Sequence, residues 1–137
     1  MAIEQITIFL ENRPGRLSRI TNVLSEEDIE IKVMAVSETA EFGILHLIVA
    51  DTEKTYSVLK DQGFSVKKTL VTVVEVKENP KDIHRIMMLV RKAEINIEYM
   101  YTFTNWGKNI LILRFDQPEN GKALLTDSGI SLISGDL

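Results

Sequence analysis

The sequence predicts an α+β protein built from two ferredoxin-like βαββαβ units, one over residues 1–68 and the other over residues 69–137. First, the chain repeats itself without a gap at an offset that places Pro80 over Pro14 and Gly129 over Gly63. Second, each repeat interleaves alternating apolar segments with segments of helical spacing, in the order strand, helix, strand, strand, helix, strand. That order is the split βαβ arrangement.

The repeat extends over the whole unit. An ungapped match of this extent favours a true repeat over coincidence between two amphipathic halves. Further matched pairs are Arg19 with Arg85, Ile20 with Ile86, Ile29 with Ile95, Met34 with Met100, Leu45 with Leu111 and Leu59 with Leu125.

Periodicity and end signals place the elements of the first unit. Ile6, Ile8 and Leu10 share one face of an alternating segment, which predicts a strand. Pro14 suits the first helical position, because its missing N–H has no acceptor there. Gly63 is expected to end the second helix. We therefore expect strands at 3–10, 29–37, 42–50 and 64–67, and helices at 14–27 and 52–62.

The second unit repeats this order. Nothing rich in proline or glycine separates the units, because "FSVKKTLVTVVEV" (64–76) runs from one strand into the next. We therefore expect the two antiparallel sheets to be joined side by side, with the helices on one face. The expected strands are 69–76, 95–103, 109–116 and 130–134, and the expected helices are 80–93 and 118–128.

Composition excludes several classes of function. The 137 residues carry a formal charge of −4 with both signs interspersed, which argues against nucleic acid or an anionic membrane as partner. Without cysteine there is no thiolate metal site or nucleophile. The N-terminus does not resemble a signal peptide, and no apolar stretch reaches the roughly 18 residues of a membrane helix. A cytoplasmic protein without a cofactor is the expectation.

An enzyme or an RNA-binding protein has little support. His46 lies on an apolar strand and His84 on a helix, so the two have no reason to converge, and we expect no catalytic or metal-binding residue. The third strand of each unit is aliphatic, without the stacking aromatic residues of an RNA-binding sheet. The same aliphatic strands, 44–49 and 110–113, suggest a sheet face that pairs with a second copy in a homodimer.

The segment "FLENRPGRL" (9–17) is a polar corner between the first strand and the first helix. The first turn of a helix has N–H groups without acceptors and a partial positive charge, so N–H groups near Gly15, Arg16 and Leu17 suit an α-carboxylate. The Asn12 side-chain oxygen suits an α-ammonium group, and Arg13 or Arg16 is a further carboxylate partner.

A purely structural interpretation of the corner stays open. Asn12 then only caps the helix, Pro14 only begins it, and both arginines are solvated.

An aromatic run, "IEYMYTF" (97–103), is the other candidate feature. Tyr99, Tyr101 and Phe103 share one face of a predicted strand. They either pack against the helices or form an aromatic wall that faces the first corner, where tyrosine hydroxyls would orient a polar ligand.

The first unit resembles the ACT domain. Phe9, Asn12, Pro14, Gly15, Leu17, Ile20, Leu24 and Gly63 occupy positions of that family's pattern, and the resemblance covers the chain as a tandem pair. The second corner, Glu78–Lys81, keeps Pro80 but has Lys81 in place of Gly15 and Asn79 in place of Arg13. Lys81 argues against ligand binding there.

The resemblance implies a regulatory module, not an enzyme, that binds a free amino acid between two units packed side by side. The site it implies combines the first corner, Asn12 to Leu17, with Tyr99 and Tyr101, which gives one strong site per chain. It also implies a metabolic enzyme or a regulator as partner. The alternative is a structural dimerisation module without a ligand, acting only through protein–protein contacts.

Overall fold

The computed structural model of the protein describes residues 3–11, 13–38 and 42–134, except the side chain of Glu38. These residues form two compact units. The first unit is Glu4–Thr69, and the second begins at Leu70 and also includes Ile3. Each unit has the order βαββαβ, which confirms the predicted α+β, ferredoxin-like class. The side-by-side joining of the two sheets stays a prediction.

The first unit has two helices on one face of a four-stranded sheet in the order β2-β3-β1-β4. Alternate side chains of each strand point toward the helices and form the apolar core. Ile8 of β1 and Leu45 of β3, for example, are register partners on this side of the sheet. Ile20, Val23 and Leu24 of the first helix cover them. The elements are β1 (Ile3–Glu11), α1 (Arg16–Glu26), β2 (Ile31–Glu38), β3 (Phe42–Val49), α2 (Thr52–Asp61) and β4 (Ser65–Glu75).

The second unit repeats this sheet with the order β7-β4-β6-β5. Val74, Leu111 and Leu113 face its helices and form the core with Ile86 and Leu125. The elements after β4 are α3 (Lys81–Lys92), β5 (Ile97–Asn105), β6 (Lys108–Phe115), α4 (Pro118–Asp127) and β7 (Leu132–Ile133).

Several predicted boundaries move by a few residues, and two expectations are wrong. Pro14 is not the first helical residue, because α1 begins at Arg16 and its N-cap is Gly15, with a φ of 88°. Residues 64–67 and 69–76 are not two strands, because Ser65–Glu75 is one continuous strand.

All four helices end in the same way, at a residue with positive φ. After α2, the N–H of Phe64 donates to the carbonyl of Leu59 (3.1 Å). The N–H of Gly63 donates to the carbonyl of Lys60 (3.0 Å), which completes a Schellman motif. The predicted stop at Gly63 is therefore confirmed. The positive-φ residues at these four helix ends are Asp28, Gly63, Glu94 and Gly129.

The apolar face on which the homodimer prediction depends is not exposed. Ile48, Ile110 and Ile112 point away from the helices, yet they are 4%, 3% and 0% exposed within the single chain. These three side chains are therefore buried, and the homodimer itself stays a prediction.

Candidate functional site

The first corner is a tight polar turn between β1 and α1. Asn12 lies outside the described residues. The N–H of Arg13 donates to the carbonyl of Glu11 (2.8 Å), and Arg13 Nη2 lies 2.8 Å from Glu11 Oε2. Arg16 Nη2 approaches the same oxygen to 3.6 Å. One carboxylate and two guanidinium groups therefore meet at the start of the helix.

Gly15 opens this helix start to an approaching molecule. No heavy atom lies within 4 Å of the point where a Cβ would stand on Gly15. The first main-chain hydrogen bond of α1 runs from the N–H of Arg19 to the carbonyl of Gly15 (3.1 Å). The N–H groups of Leu17 and Ser18 precede it and have no acceptor within the helix. The corner therefore presents main-chain donors and a partial positive charge, which suit an anion at any helix start. Its use as a carboxylate site stays a prediction.

A cavity of about 220 Å³ adjoins the corner within the first unit. Arg19 forms one wall: its Nη2 donates to the carbonyl of Gln62 (3.1 Å), and its guanidinium lies 4.8 Å from the centroid of the Phe64 ring. Phe9 and Phe64 supply apolar surface, whereas Glu11 and Arg16 supply charge. The lining residues are Phe9, Leu10, Glu11, Arg16, Arg19, Gly63, Phe64 and Ser65.

The second unit contains the repeat-equivalent cavity, of about 230 Å³. Arg85 takes the place of Arg19 and makes the equivalent bond, from Nη2 to the carbonyl of Ser128 (2.6 Å). The lining residues are Glu75, Lys77, Asp82, Arg85, Gly129, Ile130 and Ser131, and each corresponds by the repeat to a residue that lines the first cavity.

The two cavities carry opposite charges at two matched positions. Asp82 stands where the first unit has Arg16, and Lys77 stands where it has Glu11. Oδ2 of Asp82 accepts hydrogen bonds from the N–H groups of Lys77 (2.8 Å) and Glu78 (2.9 Å). Arg16 has no acceptor atom with which to do the same. The second corner therefore holds a carboxylate of its own, and the first has a guanidinium in that place.

Sequence reasoning found the corner but missed several of its residues. Glu11, Arg19 and Phe64 line the first cavity, and the repeat alignment with Lys77, Arg85 and Ile130 was the signal that would have grouped them. Asp82 was also missed, because the difference between the corners was assigned to Lys81 and Asn79.

Tyr99 and Tyr101 share one face of β5 with Phe103, as predicted. Tyr101 is the register partner of Ile112, whereas Leu111 and Leu113 belong to the helix-side core. The tyrosines therefore lie on the face opposite the helices, and the interpretation that they pack against the helices is wrong. Burial, and after it the neighbouring Tyr99, raises the pKa of Tyr101. Their place beside the first corner stays a prediction.

His46 belongs to a buried polar chain. Its Nδ1 lies 3.0 Å from Gln5 Nε2, which also donates to Thr7 Oγ1 (3.2 Å). Thr7 Oγ1 in turn lies 3.2 Å from Thr69 Oγ1. Burial lowers the pKa of His46 and so favours the neutral imidazole. His84 is exposed on α3. Among residues 3–11, 13–38 and 42–134, no cluster of three metal-ligating side chains occurs.

None of the helices in the described part of the chain is long and apolar enough to cross a membrane.

Comparison with known proteins places the chain in a family. The sequence pattern of the ACT domain pair matches residues 1–136. Protein BT0572 from Bacteroides thetaiotaomicron is 33% identical over 97% of this chain and 92% of its own, with a TM-score of 0.88. No curated protein sequence matches.

Two aspartate kinases share the fold at low identity. The ligand-free regulatory subunit from Thermus thermophilus is 13% identical, with 93% of each chain covered and a TM-score of 0.63. Escherichia coli aspartokinase III, solved in complex with aspartate and ADP, is 13% identical over 90% of this chain and 30% of its own, with a TM-score of 0.58. On the match to residues 1–136, the chain belongs to the ACT domain pair family.

Proposed function

We propose that the protein is a regulatory module, not an enzyme, that binds a free amino acid at the first corner. The observation that carries this proposal is the contrast between the two cavities. In the second corner, Asp82 already supplies a carboxylate to two main-chain N–H groups. In the first corner Arg16 occupies that position, so no side chain there takes the place of Asp82, and we propose that a ligand carboxylate does.

Both charges of an amino acid have a partner at this corner. The α-carboxylate binds the first-turn N–H groups of α1 and the guanidinium of Arg16, which is a charge-assisted contact. The α-ammonium binds the carboxylate of Glu11 and the side-chain oxygen of Asn12. Arg13 then remains the ion-pair partner that keeps Glu11 at the corner.

Size and lining restrict the ligand further. A cavity of about 220 Å³ is smaller than the pockets of about 300–1,000 Å³ that enclose drug-sized molecules, so a single amino acid suits it better than a nucleotide. Phe9 and Phe64 offer apolar surface to the ligand's side chain. Tyr99 and Tyr101 complete the pocket in this proposal, which places the ligand at the interface of the two units.

The proposed biological role is regulatory, because the module binds an amino acid and does not catalyse a reaction. A cytoplasmic module of this kind reports the concentration of an amino acid to a metabolic enzyme or a regulator, and acts as a homodimer. The second candidate is a structural dimerisation module without a ligand.

Thermal unfolding of the full chain with a panel of free amino acids separates the two candidates. A ligand at about 100 times its Kd stabilises the folded state by about 2.7 kcal/mol, which raises the Tm measurably. We expect one amino acid, or one side-chain class, to raise the Tm. The matched control is the amide of the same amino acid, which lacks the carboxylate and is expected to have no effect. If no amino acid raises the Tm, the structural module is the better account.

A further inference from the structure

The one tryptophan of the sequence stands at the tip of the β5–β6 hairpin. Asn105 and Lys108 are register partners, so the loop consists of Trp106 and Gly107 alone. Their φ values of 53° and 76° are those of a type I′ turn. Such turns favour asparagine, aspartate or glycine at the first position, and a bulky residue there is unusual.

The indole is exposed as well as unusual. Trp106 is 94% exposed, the highest value of any large apolar side chain in the described residues. The first repeat has Ala40 at the corresponding position of its sequence. Neither the turn nor the repeat therefore requires a tryptophan here, whereas tryptophan is the side chain most enriched among residues that anchor protein interfaces.

A cavity of about 440 Å³, called here the α3 groove, adjoins α3 in the same unit, and its described lining residues all belong to this helix. Met88, which is 47% exposed, and Leu89 supply its apolar surface. Arg85, Arg91 and Lys92 surround them. At the corresponding positions α1 has Arg19, Asn22, Val23, Ser25 and Glu26. Only Arg19 and Val23 keep the character of the groove, because the exposed methionine and the other two basic residues are replaced by polar or acidic ones.

The chemistry of this groove matches an indole. Methionine sulfur makes favourable contacts with aromatic rings, and arginine and lysine stack on the face of tryptophan more favourably than on other rings. The groove is also large enough for the side chain. We propose that Trp106 of one copy inserts into the α3 groove of a second copy, and that the reciprocal contact completes a homodimer. The contact between Trp106 and the α3 groove goes beyond the proposed function. It is an alternative dimer interface to the buried sheet face of strands 44–49 and 110–113.

Trp106 itself reports the contact, because it is the one tryptophan of the chain. As protein concentration rises, we expect its fluorescence emission to move to shorter wavelength over the same range in which light scattering shows the mass doubling from 15.6 kDa. Met88→Glu places a carboxylate in the groove and is expected to weaken dimerisation at least about tenfold. The matched control, Asn22→Glu, puts the same charge at the repeat-equivalent position on α1 and should leave dimerisation unchanged.

Mixing two variants tests the insertion directly. Trp106→Asn suits the turn, keeps the groove and has no indole, so in a mixture with Met88→Glu all tryptophan emission comes from the latter. We expect neither variant to dimerise alone as the original chain does. Titrating Trp106→Asn into Met88→Glu should move the emission to shorter wavelength. A monomeric original chain, a Trp106→Asn variant that dimerises normally, or a mixture without an emission shift would each overturn the proposal.

Discussion

Residue 16 and its repeat partner, residue 82, carry opposite charges at the starts of α1 and α3. Asp82 satisfies two main-chain donors of its own corner. Arg16, at the same place in the first unit, faces Glu11 instead. The presence of a polar corner was predictable from the residues "ENRPGR", because helix starts and charged residues show in a sequence. The hydrogen bonds that Asp82 makes in the second corner were not predictable, because a side chain that accepts from an N–H a few residues earlier leaves no periodic pattern in the sequence.

Gly15 gives the first prediction at this scale. Its φ of 88° is costly for any residue with a Cβ, although the space around it is open. Gly15→Ala should therefore lower the free energy of unfolding by about 1 kcal/mol through backbone strain alone. Gly43→Ala is the control, because Gly43 has no positive φ and its Cβ would meet Leu10 at an ordinary 3.8 Å. Urea unfolding measures both, and an equal loss in the two variants would count against the strain argument.

His46 gives the second prediction at the residue scale, which concerns the pH dependence of stability. Burial lowers its pKa in the folded protein below the ordinary value of 6.5, so the unfolded chain binds a proton first as the pH falls. The contribution of this residue to stability is therefore lost progressively below about pH 6.5. We expect the original chain to lose more free energy of unfolding between about pH 7.5 and 5.5 than His46→Gln does. Parallel pH profiles of the two would contradict this.

At the scale of elements, the contact between α4 and β6 differs between the two repeats in which partner carries the larger side chain. Gly121 of α4 lies against Phe115 of β6, and a Cβ on Gly121 would overlap the phenyl ring. The corresponding pair in the first unit is Thr55 and Val49, in which the larger side chain is on the helix. Both pairs are buried, so the helix–sheet spacing is kept by different residues in each unit.

This exchange predicts a strong coupling. Gly121→Thr alone should cost about 1–3 kcal/mol by overpacking, and Phe115→Val alone should cost a similar amount through the cavity it leaves. The double variant reproduces the first unit's pair and should be more stable than the sum of the two losses predicts. A double-mutant cycle by denaturant unfolding measures the coupling, and additive losses would show that the two positions do not share this space.

The elements also show which parts of the fold were predictable. Helices and strands followed from the 3.6- and 2-residue periods. Helix ends were predictable at Gly63 and Gly129 because glycine marks positive φ. The ends of α1 and α3 were less predictable, because the positive-φ residues there, Asp28 and Glu94, are not glycines. The continuity of β4 was missed because Lys67 and Lys68 interrupt its apolar pattern.

At the scale of the whole molecule, duplication supplies two copies of one fold and two cavities of nearly equal volume. The copies differ at two cavity positions: the second unit has Lys77 and Asp82 where the first has Glu11 and Arg16. We propose that this difference restricts binding to the first corner. The account therefore predicts one amino acid site per chain, at the first corner.

Titration calorimetry with the amino acid found in the thermal panel tests this claim most directly. We expect one site per chain in the original protein. Arg16→Asp copies the second corner's carboxylate into the first and should weaken binding at least about tenfold, or about 1.4 kcal/mol. Asp82→Arg makes the converse change in the second unit and should leave the affinity of the first site unchanged. Normal binding by Arg16→Asp, or a loss confined to Asp82→Arg, would contradict the assignment.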